Sequence, residues 1–174
     1  MLQLEDFADD KPWQEMQRPF APVQQSELIE GVRILRLTTE SDPRGTLTML
    51  MSNRNDPSAT TPHVYLVQAE PGSLRAWVYH RMQSDRLAFT NGDFRVVLYD
   101  LRASSPTYRK LNVLDVGDQN KVQLTIPPFV VHGVHNQGKH SAFFVNMPTH
   151  AYDPANPDKA RLPANHPGVP YRFD

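Results

Sequence analysis

Three side chains in this sequence could carry proton or metal chemistry: His80, Asp85 and His132. The first two lie in LRAWVYHRMQSDRLAFTNG, residues 74–92, and the third in IPPFVVHGVHN, residues 126–136. A neutral imidazole takes up and returns protons near physiological pH, which makes His80 and His132 candidate acid–base catalysts. With Asp85 they also form a set of two imidazoles and one carboxylate, which suits a divalent metal ion. Arg75 and Arg86 flank the same stretch. Their planar forks suit a phosphate or an oxyanion developing beside a ketone. The plain alternative is an exposed turn, because a single histidine at a strand end is more often a hydrogen-bonded structural residue than a base.

Such groups need a scaffold. From Gly31 onward, short runs rich in Val, Ile, Leu, Tyr and Phe recur between Gly, Pro, Asn and Asp. They cover residues 32–38, 46–51, 64–69, 74–79, 87–90, 94–99, 122–126, 130–135 and 142–147. Repeated short strands with turn signals between them predict an all-β sandwich or barrel. In FTNGDF, residues 89–94, the Asn91-Gly92 pair tolerates the positive φ of a tight hairpin, so the flanking strands are expected to pair. Residues two apart on a strand face the same way, so His80 and Val78 share a face. A carboxylate across a hairpin could converge on that face, and His132 could reach it from the opposite wall. Trp77 and Tyr79 are expected to face away from the cavity and pack between sheets.

The segment before about residue 26 carries three prolines and no sustained periodicity, and reads as an irregular arm. The proline-rich segment after Pro148 is not expected to hold regular structure. Tyr152, Tyr171 and Phe173 nevertheless suggest that it lies over the barrel.

With 174 residues, one domain is expected. A formal net charge of −1 argues against a broad grip on nucleic acid or anionic lipid. The absence of cysteine removes disulfides, thiolate nucleophiles and Cys-ligated zinc. No apolar run approaches a membrane span, and the acidic start lacks a secretion-signal pattern. A cytoplasmic protein is the expectation.

The spacing Gly72–Val78–His80–Asp85–Gly92, followed by Pro127–Phe129–His132–Asn136, resembles the two signature motifs of the cupin superfamily. Those motifs read Gly, five residues, His-x-His, three or four residues, Glu, six residues, Gly; then Pro-x-Gly, two residues, His, three residues, Asn. Here Val78 stands for the first His, Asp85 for Glu and Phe129 for the second motif's Gly. A closer resemblance rests on DPRG at 42–45, LRAW at 74–77, VVLYDLRASSPTY at 96–108, IPPFVVHG at 126–133 and PTHAYDP at 148–154. In this order they are similar to motifs of the dTDP-4-dehydrorhamnose 3,5-epimerase family.

That resemblance implies a double-stranded β-helix jelly roll and a homodimer in which Arg44 reaches the neighbour's nucleotide diphosphate. It further implies substrate contacts for Arg75, Arg86 and Tyr152, and a place for His132 inside the barrel. It also exposes departures. The family's basic histidine is replaced by Val78, its C-terminal carboxylate has no counterpart in ANHPGVPYRFD, and its acidic tyrosine falls at Val145-Asn146. Proton transfer would therefore have to use His80, two residues along the strand, or His132.

The sequence thus predicts an arm (1–30), a cupin jelly roll (31–148) and a C-terminal segment packed on the barrel (149–174). The expected ligand is a nucleotide sugar or another anionic carbohydrate, isomerised or epimerised without a cofactor, and neither nucleic acid nor membrane is an expected partner. The alternatives are a catalytically silent binding cupin and an enzyme holding one divalent metal ion on His80, Asp85 and His132.

Overall fold

The computed structural model describes residues 27–52 and 60–173. The expected arm before residue 27 lies outside the described residues. Twelve strands follow in order: β1 (Arg33–Arg36), β2 (Thr39–Asp42), β3 (Gly45–Thr48), β4 (Tyr65–Ala69), β5 (Leu74–His80) and β6 (Asp85–Phe89). Then come β7 (Asp93–Asp100), β8 (Leu111–Gly117), β9 (Val122–Ile126), β10 (Val130–Asn136), β11 (Ala142–Asn146) and β12 (Lys159–Arg161). They form two five-stranded sheets, β1-β9-β6-β11-β4 and β12-β5-β10-β7-β8, with β2–β3 as a separate hairpin. All pairings are antiparallel. The chain passes from one sheet to the other at nearly every step from β4 to β11, which is the winding of a jelly roll.

Alternation along the strands fills the space between the sheets. Phe89, Phe94, Val96, Leu98, Leu124, Val130 and Phe144 point inward and are buried. The rings of Phe89, Phe94 and Phe144 meet with centroids 5.2 to 5.8 Å apart. Each buried ring contributes on the order of 2–3 kcal/mol.

The expected 89–94 hairpin is corrected, because β6 and β7 belong to different sheets. Asn91-Gly92 turns the chain across the barrel instead of back on itself. Gly92 has φ +76°, and an added Cβ would lie 2.3 Å from the Ala142 Cβ, so glycine is required twice over. Strand β8 went unmarked in the sequence because Asp115 and Gly117 read as turn letters. Only Leu114 and Val116 of its outer residues alternate cleanly inward.

Trp77 and Tyr79 do face away from the cavity, but they do not pack between the sheets. They join Val97, Tyr99 and Val131 on the outer face of the second sheet, beneath Val169, Tyr171 and Phe173. The proline-rich segment also forms regular structure. Its strand β12 pairs with β5, setting Lys159 opposite His80 and Arg161 opposite Val78. Pairing needs only three residues free of proline, and Lys159–Arg161 supplies them.

Asp100, wholly buried at the end of β7, accepts from Arg102 N and Nε, at 3.0 and 2.8 Å, and from the Ser105 and Thr107 hydroxyls at 2.7 Å. Burial pushes this carboxyl up, but the Arg102 guanidinium and the hydroxyls outweigh it and hold it well below the carboxylate range. The carboxylate therefore adds stability above about pH 4, which is lost as pH falls below that value. Asp100→Asn is expected to cost about 3 kcal/mol in urea unfolding at neutral pH, with the difference from wild type shrinking in acid.

Candidate active site

Strands β5 and β10 lie side by side, with His132 directly opposite Val78. His80, two residues beyond Val78, projects from the same face. Both imidazoles therefore come from one wall, and the carboxylate comes from the other, at the start of β6 in the facing sheet. This reverses the sequence-based placement, since β5 and β6 do not form a hairpin. The result is a compact triangle. Asp85 Oδ2 lies 3.3 Å from His80 Nε2 and 3.3 Å from His132 Nε2, with the two rings stacked at 6.1 Å.

The opposite nitrogens fix the protons. His80 Nδ1 meets the Asp158 carbonyl at 3.0 Å, and His132 Nδ1 meets the Val130 carbonyl at 3.1 Å. A carbonyl oxygen only accepts, so each Nδ1 carries hydrogen. Each Nε2 then faces Asp85 either as a bare lone pair or, in an imidazolium, as a donor.

Asp85 is held from its other oxygen as well. Oδ1 accepts from Gln83 Nε2 at 2.7 Å and from Asn146 Nδ2 at 3.0 Å. Burial pushes the Asp85 carboxyl up, yet the hydrogen bonds and charges of His132 and His80 prevail, and it lies well below the ordinary carboxylate range. Asn146 Nδ2 also donates to the Tyr65 hydroxyl at 2.8 Å, linking β6, β11 and β4 across one sheet.

Asp158 comes from the C-terminal segment just before β12. Its carboxylate accepts from the backbone N–H groups of Arg81, Met82 and Gln83 at 2.8 to 3.1 Å, and its Oδ2 lies 3.9 Å from His80 Nδ1. One residue thus fixes the turn after β5 and orients the imidazole at its end.

Beside the triangle opens a cleft of about 410 Å³. His80, Gln83 and Asp158 line one part of it, Tyr65 and His63 another, and His150 and Tyr152 its rim. Asp85 and His132 are both buried, and neither lines the cleft. The Lys159 amine sits 5.6 Å from the centre of the Tyr152 ring.

The arginines are distributed differently from expectation. Arg86 does not reach the cleft, because it follows Asp85 on β6 and so points to the other face of the sheet. There its guanidinium is buried and donates to the carbonyls of Thr60, Met147 and Pro148. Its guanidinium is thus engaged by backbone carbonyls, and Arg86 is not among the residues lining the cleft. Arg75 donates to the Gln68 carbonyl on β4 at 3.2 Å and remains largely exposed. Arg44 sits at the tip of the β2–β3 hairpin, with its side chain 90% exposed and paired with Asp42.

The dTDP-4-dehydrorhamnose 3,5-epimerase family matches residues 26–171. The chain belongs to that family. It is 32% identical over 136 residues to the spore coat polysaccharide biosynthesis protein SpsL of Bacillus subtilis, covering 78% of this chain and 90% of that protein. It is 31% identical over 137 residues to the probable low-salt glycan biosynthesis epimerase Agl13 of Haloferax volcanii, covering 78% and 88%. Among solved structures, the dTDP sugar isomerase of Desulfovibrio desulfuricans G20 superimposes with a TM-score of 0.77 at 25% identity, over 82% of this chain and 90% of that one. This protein is therefore a sugar-nucleotide epimerase-related cupin.

Against the family's motifs, the geometry supplies near neighbours of the missing groups. His80 stands one pleat along from Val78, and Asp158 brings a C-terminal carboxylate to that imidazole although the tail motif lacks one. Sequence reasoning missed Gln83, Asn146, Asp158, Tyr65 and His63. All but Gln83 reach the cluster from 14 or more positions away, and none has a local spacing signal.

Proposed function

We propose that this protein binds a nucleotide-linked 4-keto sugar in the cleft and moves a proton at the carbon beside the ketone, with His80 as base. The observation that carries the reading is the fixed ring of His80. Its Nδ1–H is held by the Asp158 carbonyl, so Nε2, which lies 3.3 Å from Asp85 Oδ2, is the nitrogen left to take a proton, in a residue that lines the cleft. Asp85 faces the imidazolium that results and stabilises it, as an oriented carboxylate does for a catalytic histidine. His132 shares that carboxylate and positions it. The family and the dTDP sugar isomerase fold support a dTDP-type ligand. Tyr152, which lines the cleft, and Arg75, whose charge acts on Tyr65, are the proposed contacts for its sugar or phosphates. Arg44, on its exposed hairpin, is proposed to reach the ligand of a neighbouring copy, with a homodimer as the active form.

The test is incubation of the protein with a dTDP-4-keto-6-deoxyhexose in D2O, followed by mass spectrometry. Gain of at least one deuterium above the protein-free control is the expected result. Binding without deuterium gain would instead identify a silent carbohydrate-binding cupin.

A second reading has its own observation. One donor atom each from His80, Asp85 and His132 lies within 4.8 Å of the others, and both imidazoles are oriented through Nδ1 in the way that metal-bound histidines are. These residues fit a divalent ion, which would polarise a carbonyl oxygen. Against it, the Gln83 amide nitrogen points its hydrogens at Asp85 and lies 3.4 Å from His80 Nε2, where a cation would repel them. Elemental analysis of protein purified without chelator is expected to give well under one ion per chain. A stoichiometric ion whose removal abolishes deuterium gain would establish the metal reading.

A further inference from the structure

Inversion at a carbon beside a ketone needs a base on one face of the sugar and an acid on the other. His80 belongs to the sheet β12-β5-β10-β7-β8, and Tyr65 to the facing sheet β1-β9-β6-β11-β4; both line the same cleft. A ring lying between the sheets would present one face to each residue. Tyr152, the other phenol of the cleft, lies in the segment that runs into β12 on the side of His80.

We infer that Tyr65 is the second-face acid of this site, the group that gives its proton to the enolate carbon opposite His80. The assignment rests on the proposed role of His80 as base. Three observations carry it. Tyr65 sits directly across from Asn146 in the β4–β11 register. The Asn146 nitrogen donates to the phenol oxygen at 2.8 Å, and an amide nitrogen cannot accept. The hydroxyl hydrogen is therefore not used in that bond, and no hydrogen bond donated by it is found among the described residues. The same Asn146 nitrogen reaches Asp85 Oδ1, which ties the acid to the carboxylate that serves the base.

The step balances without a co-reactant. His80 Nε2 takes the C–H proton on one face, and the electron pair moves onto the ketone oxygen. The enolate then collapses, and its carbon takes the hydroxyl proton of Tyr65 on the other face. The phenolate left behind is stabilised by the Asn146 N–H and by the nearby charge of Arg75, and it regains its proton from solvent. Before reaction the phenol stays protonated, since burial and the Asp85 charge both push it up.

The experiment is Tyr65→Phe with the same dTDP-4-keto-6-deoxyhexose in D2O. Deuterium gain at the substrate carbon and formation of the inverted sugar are read together by NMR, with the thermal midpoint taken alongside. Phenylalanine keeps the ring and removes only the oxygen. The expected result is deuterium gain within about three-fold of wild type and inverted product down by about 10²-fold or more. Product formed at the wild-type rate would overturn the assignment, as would equal loss of exchange and product in a folded variant. A wild-type protein that shows no exchange would overturn the reading of His80, and this assignment with it. A variant with normal exchange and little product separates the two roles.

Discussion

His80→Gln is expected to lower deuterium gain by about 10²- to 10⁴-fold, the usual contribution of a positioned general base. The expectation follows from bond accounting. Glutamine can still donate to the Asp158 carbonyl or face Asp85, so the turn after β5 keeps its partners. It has no group that takes a proton at neutral pH. Folding is separable from chemistry here, because three backbone N–H groups of that turn are held by the Asp158 carboxylate independently of the ring. A thermal midpoint near that of wild type, together with lost exchange measured by NMR, is the expected pair of results. A variant that exchanges at the wild-type rate would remove His80 from the chemistry and make it a structural residue.

Asp85→Asn is expected to separate function from folding as well. Asn Oδ1 can accept from Gln83 and Asn146 where Asp85 Oδ1 now does. Its amide group can donate to the Nε2 lone pairs of both histidines, at positions now 3.3 Å from the carboxylate. Every polar atom keeps a partner, so the protein is expected to stay folded, with some stability lost at neutral pH because a strongly ionised carboxylate is removed. Nothing negative then stabilises the His80 imidazolium as it forms, and a fall in exchange of about 10²-fold is expected. Urea unfolding beside the exchange assay measures both. A variant that unfolds easily would show that Asp85 serves the barrel rather than the reaction.

The legible part of this site is the part with short, regular spacing. His80 and Asp85 lie five positions apart around a turn, and IPPFVVHG marks His132, so their convergence could be expected from sequence. Their distribution between the walls could not, because it depends on β5 pairing with β10 rather than with β6. Arg86 lies away from the cleft for a related reason. Its type suits a phosphate, but its parity on β6 is opposite to that of Asp85, and period-two alternation decides. Tyr65 and Asn146 meet across 81 positions through the β4–β11 register, and Asp158 reaches His80 from a proline-rich segment with no strand signal. The position of the second cupin motif's glycine shows the converse case. Phe129 keeps a positive φ of 60°, so the turn outlived the residue that favours it. Its ring now stacks on Tyr79, with centroids 5.8 Å apart, which helps to offset the backbone cost.

The proposed base thus lies one pleat along β5 from position 78, at His80. A crystal structure of the protein with a bound dTDP-6-deoxyhexose is the decisive measurement. His80 Nε2 is expected about 3–3.5 Å from a ring carbon beside C4, with Tyr65 on the far side of the ring. A sugar bound elsewhere than between these two residues, or held by an ion seated among His80, Asp85 and His132, would contradict it.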